Sequence, residues 1–549
     1  MGAYKATRVF EGYALGKLAV YSTVKVEKAV GLGEEEEFAR FEKARALTIA
    51  SLDKSYMETL AKLGEEEAAL FATHKLMAED LDFEDAIRAE LAGGVSAEYA
   101  VHSAGNQLAE MFASMDDAYM KERANDVREV ASRIVMALRQ EENGFVLKEP
   151  SIILCEDLPS SELMKLDKKM ILGIVFAKGG TNSHVSILTR MLEIPAICGI
   201  EDLVVDKKLD GTFAILDAMK AELLIAPGAE DVTSYSNKKK QYEENKAKLQ
   251  AFKGKPTLSK DGKKVEIYNN IASSFEVENA LRNDAEGIGL FRSEFIYLDA
   301  SDYPSEDEQF EHYKRVVSAM GEKQVIIRTL DIGADKKIDY FDLPEEENPA
   351  LGFRSIRICK ARPEIFLAQL QALYRASAYG NLAVMVPMII SLEEIDFIHR
   401  MAALARDNLL ARGLPFNEKM KIGIMVETPA AAVCSDLLAK EVDFFSIGTN
   451  DLSQYTLAID RVNPNLSSSF NPHHRAVLRL IKLATENAHN AGIPIGICGE
   501  LARDEKLLPF FLKIGVDELS VSPAYTLSLR EQISRIDTSV VDVERYLGL

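Results

Sequence analysis

No apolar run in this sequence approaches the length of a membrane span, so direct membrane insertion is not expected. The opening residues, Met1 to Arg8, lack the apolar core of a secretory signal. Ala6 stands where myristoylation calls for Ser or Thr, which discounts Gly2 as an acceptor. Basic charge is short, 65 Lys and Arg against 86 Asp and Glu, and the formal net charge of −21 opposes non-specific nucleic-acid binding. It favours a basic partner, or serves solubility alone. Cysteine is sparse and scattered, at 155, 198, 359, 434 and 498. An odd count without paired spacing argues against a disulfide framework and a zinc site, and points to a reducing compartment. Residues 1–178 hold no glycine-rich nucleotide loop, and residues 1–149 hold no proline.

What is present divides along the chain. At 549 residues the sequence exceeds what one hydrophobic core usually serves. Residues 4–22 alternate loosely and predict one or two strands, with Gly12 and Gly16 as bends. From about 35 to 142 the period becomes helical, as in Val127, Val130, Ile134 and Leu138. About four helices are expected there, with His74 at the surface or facing a partner. Short strand-like runs return over 150–228. The simplest division is an α/β domain made of 1–25 and 143–228, with a helical domain, 26–142, inserted into it. Residues 229–256, rich in Lys, Glu and Gln, predict an exposed helical linker.

From 257 to 549, eight strand-like runs alternate with helical stretches: 265–272, 287–292, 324–330, 383–390, 421–427, 444–450, 494–499 and 518–522. Eight is the count for a (β/α)8 (TIM) barrel, whose chemistry sits at the C-terminal strand ends. Those ends carry Arg292, Arg328, Glu427, Asn450-Asp451 and Cys498, with Arg354 and Arg461 in the segments that follow. Guanidinium forks suit phosphate and carboxylate oxygens. Carboxylates beside such anions repel them unless a hard cation bridges, so Glu427 and Asp451 suggest Mg²⁺ or Mn²⁺. Internal arginine–carboxylate pairing accounts for one or two of these residues, and a turn for Asn450-Asp451. Neither accounts for their recurrence at successive strand ends. Cys498 is either a small core residue or a thiol that moves a proton to substrate.

A second constellation precedes a different helix. Gly179-Gly180-Thr181-Asn182-Ser183-His184 leads into an amphipathic segment. Backbone N–H groups at a helix entry make an anion site, and a neutral imidazole there can attack phosphorus. In isolation, a helix-capping role is the better account of His184. The loop pair His473-His474 lacks further ligands for a metal.

Together, Gly179–Arg190, Leu290–Phe295, Arg328–Gly333, Ser446–Arg461 and Gly496–Glu500 resemble the signatures of Enzyme I of the bacterial phosphotransferase system, the phosphoenolpyruvate–protein phosphotransferases. Met115–Tyr119 and Glu122–Arg128 in the helical region look like the same family. The resemblance spans essentially the whole chain. It implies a swivelling phosphohistidine domain, an inserted helical domain that binds the histidine-containing phosphocarrier protein (HPr), and a barrel that binds phosphoenolpyruvate and forms a homodimer. It implies that His184 becomes a tele-phosphohistidine and passes its phosphoryl group to the carrier, the first step of sugar uptake. Arg292, Arg328, Arg354, Asn450, Asp451 and Arg461 would bind substrate. Glu427 and Asp451 would hold Mg²⁺, and Cys498 would protonate the enolate. Departures are Phe10-Glu11-Gly12 for a usual Ser-Pro-Gly, Val185 for a small or hydroxylated residue, Thr181 for Arg and Ala334 for Gly. A dikinase shares the histidine domain and barrel but needs an ATP-grasp domain, for which the region before His184 is too short and too helical. A sensor without catalysis is the other alternative, and the chemical groups present argue against it.

Overall fold

The structure, a computed structural model, describes residues 2–548 except 22–25, 64, 115–117, 140–144, 179, 181–183, 201–202, 299, 301, 334–337, 462, 464–465 and 467–468. For some residues inside helices, His184 among them, the description stops at the backbone. The chain divides into two units, Met1–Asn245 and Lys246–Leu549.

The first unit is built on an eight-stranded sheet of β1 (Gly2–Lys5), β2 (Thr7–Phe10), β3 (Tyr13–Tyr21), β4 (Ser151–Cys155), β5 (Ile171–Phe176), β6 (Ala196–Cys198), β7 (Phe213–Asp217) and β8 (Glu222–Ile225), in the order β1-β8-β7-β3-β4-β5-β6-β2. The central four, β3 to β6, are parallel. Fully apolar stretches such as Ile152-Ile153-Leu154 bury both faces of the sheet. One apolar layer holds Val9, Ile153, Phe176 and Val185, and the other Ile152, Leu154, Val175 and Leu216. The N-terminal segment forms three strands rather than one or two. Gly12 does mark a break, with a φ of 136° open to glycine. Gly16 lies inside β3 instead, where a Cβ would press on the Leu172 side chain.

Between β3 and β4 run α1 (Glu34–Leu63), α2 (Glu65–Ala78), α3 (Leu81–Leu91), α4 (Ala97–Ser114) and α5 (Ala118–Leu138), five helices where about four were expected. The extra boundary is set by Asp80, whose carboxylate accepts from the N–H groups of Asp82 and Phe83 to cap α3. The predicted stripe of α5 is buried against Phe41, Phe83, Ile87 and Val101. His74 is not at the surface. It is buried in α2, with Nε2 3.3 Å from Asp126 Oδ1 on α5. Helix Ala229–Leu249 follows β8, largely solvated apart from buried Tyr235, which packs on Tyr13.

The second unit is a closed parallel barrel of β9 (Glu266–Ile271), β10 (Gly287–Arg292), β11 (Val325–Arg328), β12 (Leu382–Val386), β13 (Lys421–Val426), β14 (Phe445–Ile447), β15 (Ile495–Ile497) and β16 (Glu518–Val521). It closes where Glu518 pairs with Glu266. All eight strand-like runs of the sequence are these strands. β12 and β13 read as nearly continuous apolar stretches because helices cover them outside and side chains fill them inside, whereas β9 and β16 turn polar residues inward. At the opposite end from the rim, buried Arg530 ion-pairs with Asp284 and Glu286 and donates to the carbonyl of Phe252. Among the described residues no helix is long and apolar enough to cross a membrane.

Candidate functional site on the barrel rim

The ends of β10, β11, β13 and β14 and the segment after β11 deliver a buried charge cluster. Arg328, the last residue of β11, reaches Glu294 with Nη2 and Asp331 Oδ2 with Nη1 at 3.0 Å. Arg354 donates to the other oxygen of Asp331 at 2.9 Å and to the Tyr455 hydroxyl at 3.0 Å. The Ser355 hydroxyl also donates to Asp331. Asp331 is therefore the shared acceptor that holds two guanidinium groups side by side. Both are nearly fully buried, and the Nε of each has no hydrogen-bond partner. Burial alone would discharge an arginine. For Arg328 the carboxylates of Asp331, Glu294 and Glu427 outweigh it, and for Arg354 those of Asp331 and Asp451 do, so both stay charged.

Glu427 follows β13 and is 1% exposed. Its Oε1 accepts from the Met388 N–H at 2.7 Å. Met388 holds a φ of 61°, rare for a side chain of its size, so backbone strain is stored where this carboxylate is anchored. Gly448 leaves the room that Glu427 needs, since a Cβ there would lie 2.7 Å from Oε2. Burial first, then the charges of Asp451 and Asp331, push the Glu427 carboxyl up to about 8, against the pull of Arg328 and Arg354. A dry carboxylate beside a second one has the chemistry of a cation site. Among the described residues no three His, Cys, Asp or Glu side chains gather into a protein-only cage. A pair of carboxylates instead suits an ion whose other ligands are water and substrate oxygens.

Asp451 sits in the first turn of the helix Thr449–Leu457, buried, with Arg461 Nη2 3.9 Å from its Oδ1. Asn450 Oδ1 accepts from the Glu500 N–H at 3.4 Å. The Asn450-Asp451 pair is thus the start of a helix rather than a turn. Cys498 follows β15 and points into the barrel among Leu290, Met385 and Met425. Its thiol donates to the Ile447 carbonyl at 3.6 Å. Burial pushes it up to about 12, so it holds its proton at neutral pH. Arg292 ends β10 beside Arg328 in register, and its side chain is exposed.

Of the sequence candidates, the rim brings together Arg328, Arg354, Glu427, Asp451 and Cys498, with Arg461 and Asn450 at its edge. His184 is in the other unit. It opens the helix His184–Met191, and its side chain lies outside the described residues, as do Thr181 and Ala334. Near it, Ser186 donates to the Gly180 carbonyl at 2.9 Å, and Val185 packs into the sheet core. His473 and His474 serve other ends: His473 pairs with Asp504 at 2.6 Å, and His474 caps the helix Arg475–Ala491. Sequence reasoning assigned no individual role to Asp331, Glu294 or Tyr455, although all three fall inside the stretches it singled out.

Residues 246–538 match the family model described as PEP-utilising enzyme, PEP-binding domain. Residues 5–123 match the N-terminal model of the same enzymes, and 147–221 their mobile domain. A phosphoenolpyruvate-protein phosphotransferase of a Bacillus species (strain S) is 41% identical over 513 residues, 93% of this chain and 89% of the relative. One from Haemophilus influenzae is 41% identical over 535 residues, 96% of this chain and 92% of the relative. A solution structure of an Enzyme I protein (nEIt) is 31% identical, covering 44% of this chain and 99% of that one, with a TM-score of 0.36.

Proposed function

The chain belongs to the phosphoenolpyruvate–protein phosphotransferase (Enzyme I) family, and on that footing we propose which of its residues carry the phosphoryl relay. It moves a phosphoryl group from phosphoenolpyruvate to protein within the phosphotransferase system. The family uses a divalent metal ion and a phosphocarrier protein. In our reading phosphoenolpyruvate enters the barrel mouth, with its phosphate and carboxylate facing Arg328, Arg354, Arg461 and Arg292. Asn450 orients it. Glu427 and Asp451 hold Mg²⁺ or Mn²⁺, whose contribution is charge neutralisation at the substrate oxygens.

The observation that carries this reading is the pair of buried guanidiniums with unbonded Nε atoms beside Glu427. Phosphoryl transfer asks for positioning and charge neutralisation more than for covalent chemistry, and such a rim supplies both. The ring nitrogen of His184 attacks phosphorus, and the P–O bond to the enolate breaks. Cys498, still protonated, gives its proton to the enolate carbon, which yields pyruvate. The tele-phosphohistidine then passes its phosphoryl group to HPr, docked on the helical region 26–142. One histidine with two partners calls for a swivelling domain, 1–25 with 143–228, joined through 229–256 to the barrel, 257–549. The barrel pairs with a second copy, and the protein works in the cytoplasm at the first step of sugar uptake.

Incubation with ³²P-labelled phosphoenolpyruvate and Mg²⁺ tests it. Label should enter the protein, be lost in His184→Ala and on chelation, and pass to HPr. Label retained by His184→Ala would overturn the acceptor, and no label at all would favour a sensor.

A further inference from the structure

Each turnover leaves Cys498 without its proton, and the barrel beneath it holds a second buried acid. Inward-facing residues alternate along a strand. On β15 they are Gly496 and Cys498, on β16 Glu518 and Ser520, and on β9 Glu266, Tyr268 and Asn270. Gly496 pairs with Glu518, and Glu518 with Glu266, so these three form one rung. Ile497 pairs with Leu519, which sets Cys498 beside Ser520 on the rung above. Glu518 is buried, and its Oε1 has no hydrogen-bond partner. Two facing glycines make room for its carboxyl. A Cβ at Gly496 would strike Oε2, and a Cβ at Gly289 would strike both Oε1 and the Ser520 hydroxyl. The carboxyl and that hydroxyl are therefore neighbours. Ser520 donates to Asn270 Oδ1 at 2.7 Å, and Asn270 donates to the Cys498 carbonyl at 3.1 Å.

Below Glu518 the polar path continues to solvent. The Tyr268 hydroxyl donates to Glu266 Oε2 at 2.7 Å, and exposed Lys264 donates to Glu266 Oε1 at 3.0 Å. Among the described residues no Lys or Arg ion pair reaches Glu518. The titratable groups around it are Glu266, Asp517, Tyr268 and Cys498. A buried carboxyl with an unbonded oxygen and acidic neighbours is held as the neutral acid.

We propose that Glu518 is a positioning residue of the relay, the proton-holding acid that restores the Cys498 thiol from inside the barrel. The inference rests on Cys498 as the enolate's proton donor. As pyruvate forms, the S–H bond breaks, the new C–H bond takes its proton, and sulfur keeps the electron pair. The Ser520 O–H then turns from Asn270 to sulfur and gives up its proton, so that S–H re-forms, and the Glu518 O–H bond breaks to replace that proton on the Ser520 oxygen. The Glu518 carboxylate regains a proton from solvent through the Tyr268–Glu266 end. One solvent proton enters per pyruvate. Burial, with Glu266 and Asp517, pushes the Glu518 carboxyl up to about 8, so it has a proton to give at neutral pH.

The test is exchange of ¹⁴C between pyruvate and phosphoenolpyruvate by the full chain with Mg²⁺. Glu518→Gln keeps the shape and removes the acid. It should lower kcat by roughly 10²-fold, the scale of one general acid, with KM for phosphoenolpyruvate unchanged. It should also flatten the alkaline limb of the pH profile. In a Cys498→Ala background it should cost nothing further. Wild-type kcat and pH profile in Glu518→Gln, or losses that add to those of Cys498→Ala, would overturn the proposal. If Glu518→Gln does not fold, Ser520→Ala takes its place. A several-fold fall in kcat with a larger solvent deuterium isotope effect would support the path, and no change would refute it. Wild-type turnover by Cys498→Ala would instead bring down the donor assignment itself.

Discussion

The barrel rim and the helix entry at His184 are anchored in opposite ways. On the rim, Arg328 and Arg354 are buried and tied through Asp331, so their positions are fixed before substrate arrives. At the other site a single histidine opens an eight-residue helix, Val185 seats that helix in the sheet core, and Ser186 closes the loop onto Gly180. Electrostatic stabilisation needs preorganised dipoles that cost no rearrangement during reaction. A phosphoryl acceptor that serves two partners needs access to both. One site is therefore a cage of mutual constraints, and the other a single side chain on a short helix.

The contrast breaks first if the two sites do not separate under mutation. His184→Ala should reduce phosphoryl incorporation by about 10³-fold or more, as loss of a nucleophile does, and leave phosphoenolpyruvate binding intact. Isothermal titration with Mg²⁺ and phosphoenolpyruvate reads the second half. Arg328→Ala should fail in both respects. It takes a buried guanidinium from Glu294 and one of the two that Asp331 holds, at a cost of about 3–5 kcal/mol in barrel stability, and removes substrate affinity. Urea unfolding and the same titration measure these. Arg530→Ala supplies the control inside the barrel. It takes a buried guanidinium from the half-buried carboxylates of Asp284 and Glu286 at the far end, so stability should fall, by less than in Arg328→Ala, while KM for phosphoenolpyruvate stays put. If KM rises as far as it does in Arg328→Ala, the rim owes nothing special to its own arginines.

Much of this was legible in the residues, and the reasons are physical. Barrel strands such as β12 and β13 could be read because burial on both faces makes each a nearly continuous apolar run. The fifth helix could not, because its boundary is an Asp80 cap with neither glycine nor proline to mark it. Residues that reach the rim from strand ends, such as Glu427 and Cys498, follow from the rule of the fold. Asp331 as the shared acceptor, Tyr455 under Arg354 and Met388 against Glu427 depend on contacts between residues far apart in sequence. Glu518 looks in sequence like a polar residue at a strand's start, and only Gly289 and Gly496 opposite show that it is enclosed.

A finer separation comes from pH. The folded Glu518 carboxyl is raised to about 8, whereas an unfolded Glu titrates near 4.3. The stability linked to it is fully present below the unfolded value and is lost as pH rises through about 8. Glu518→Gln should remove that slope. The variant should gain on wild type between about pH 5 and about pH 9 in urea unfolding of the barrel. A parallel pair of curves would mean that the carboxyl is ionised at both ends.

The smallest effect expected belongs to Ser186→Ala. The hydroxyl donates to the Gly180 carbonyl, and a typical intramolecular hydrogen bond contributes about 1 kcal/mol. The sheet core beneath, through Val185, stays in place. The variant should therefore fold, accept label from phosphoenolpyruvate, and slow by roughly 5-fold if the whole ~1 kcal/mol is lost from positioning His184. Quench-flow labelling reads the rate. A loss as large as that of His184→Ala would show that the loop, like the rim, is a constrained cage, and the contrast between the two sites would collapse.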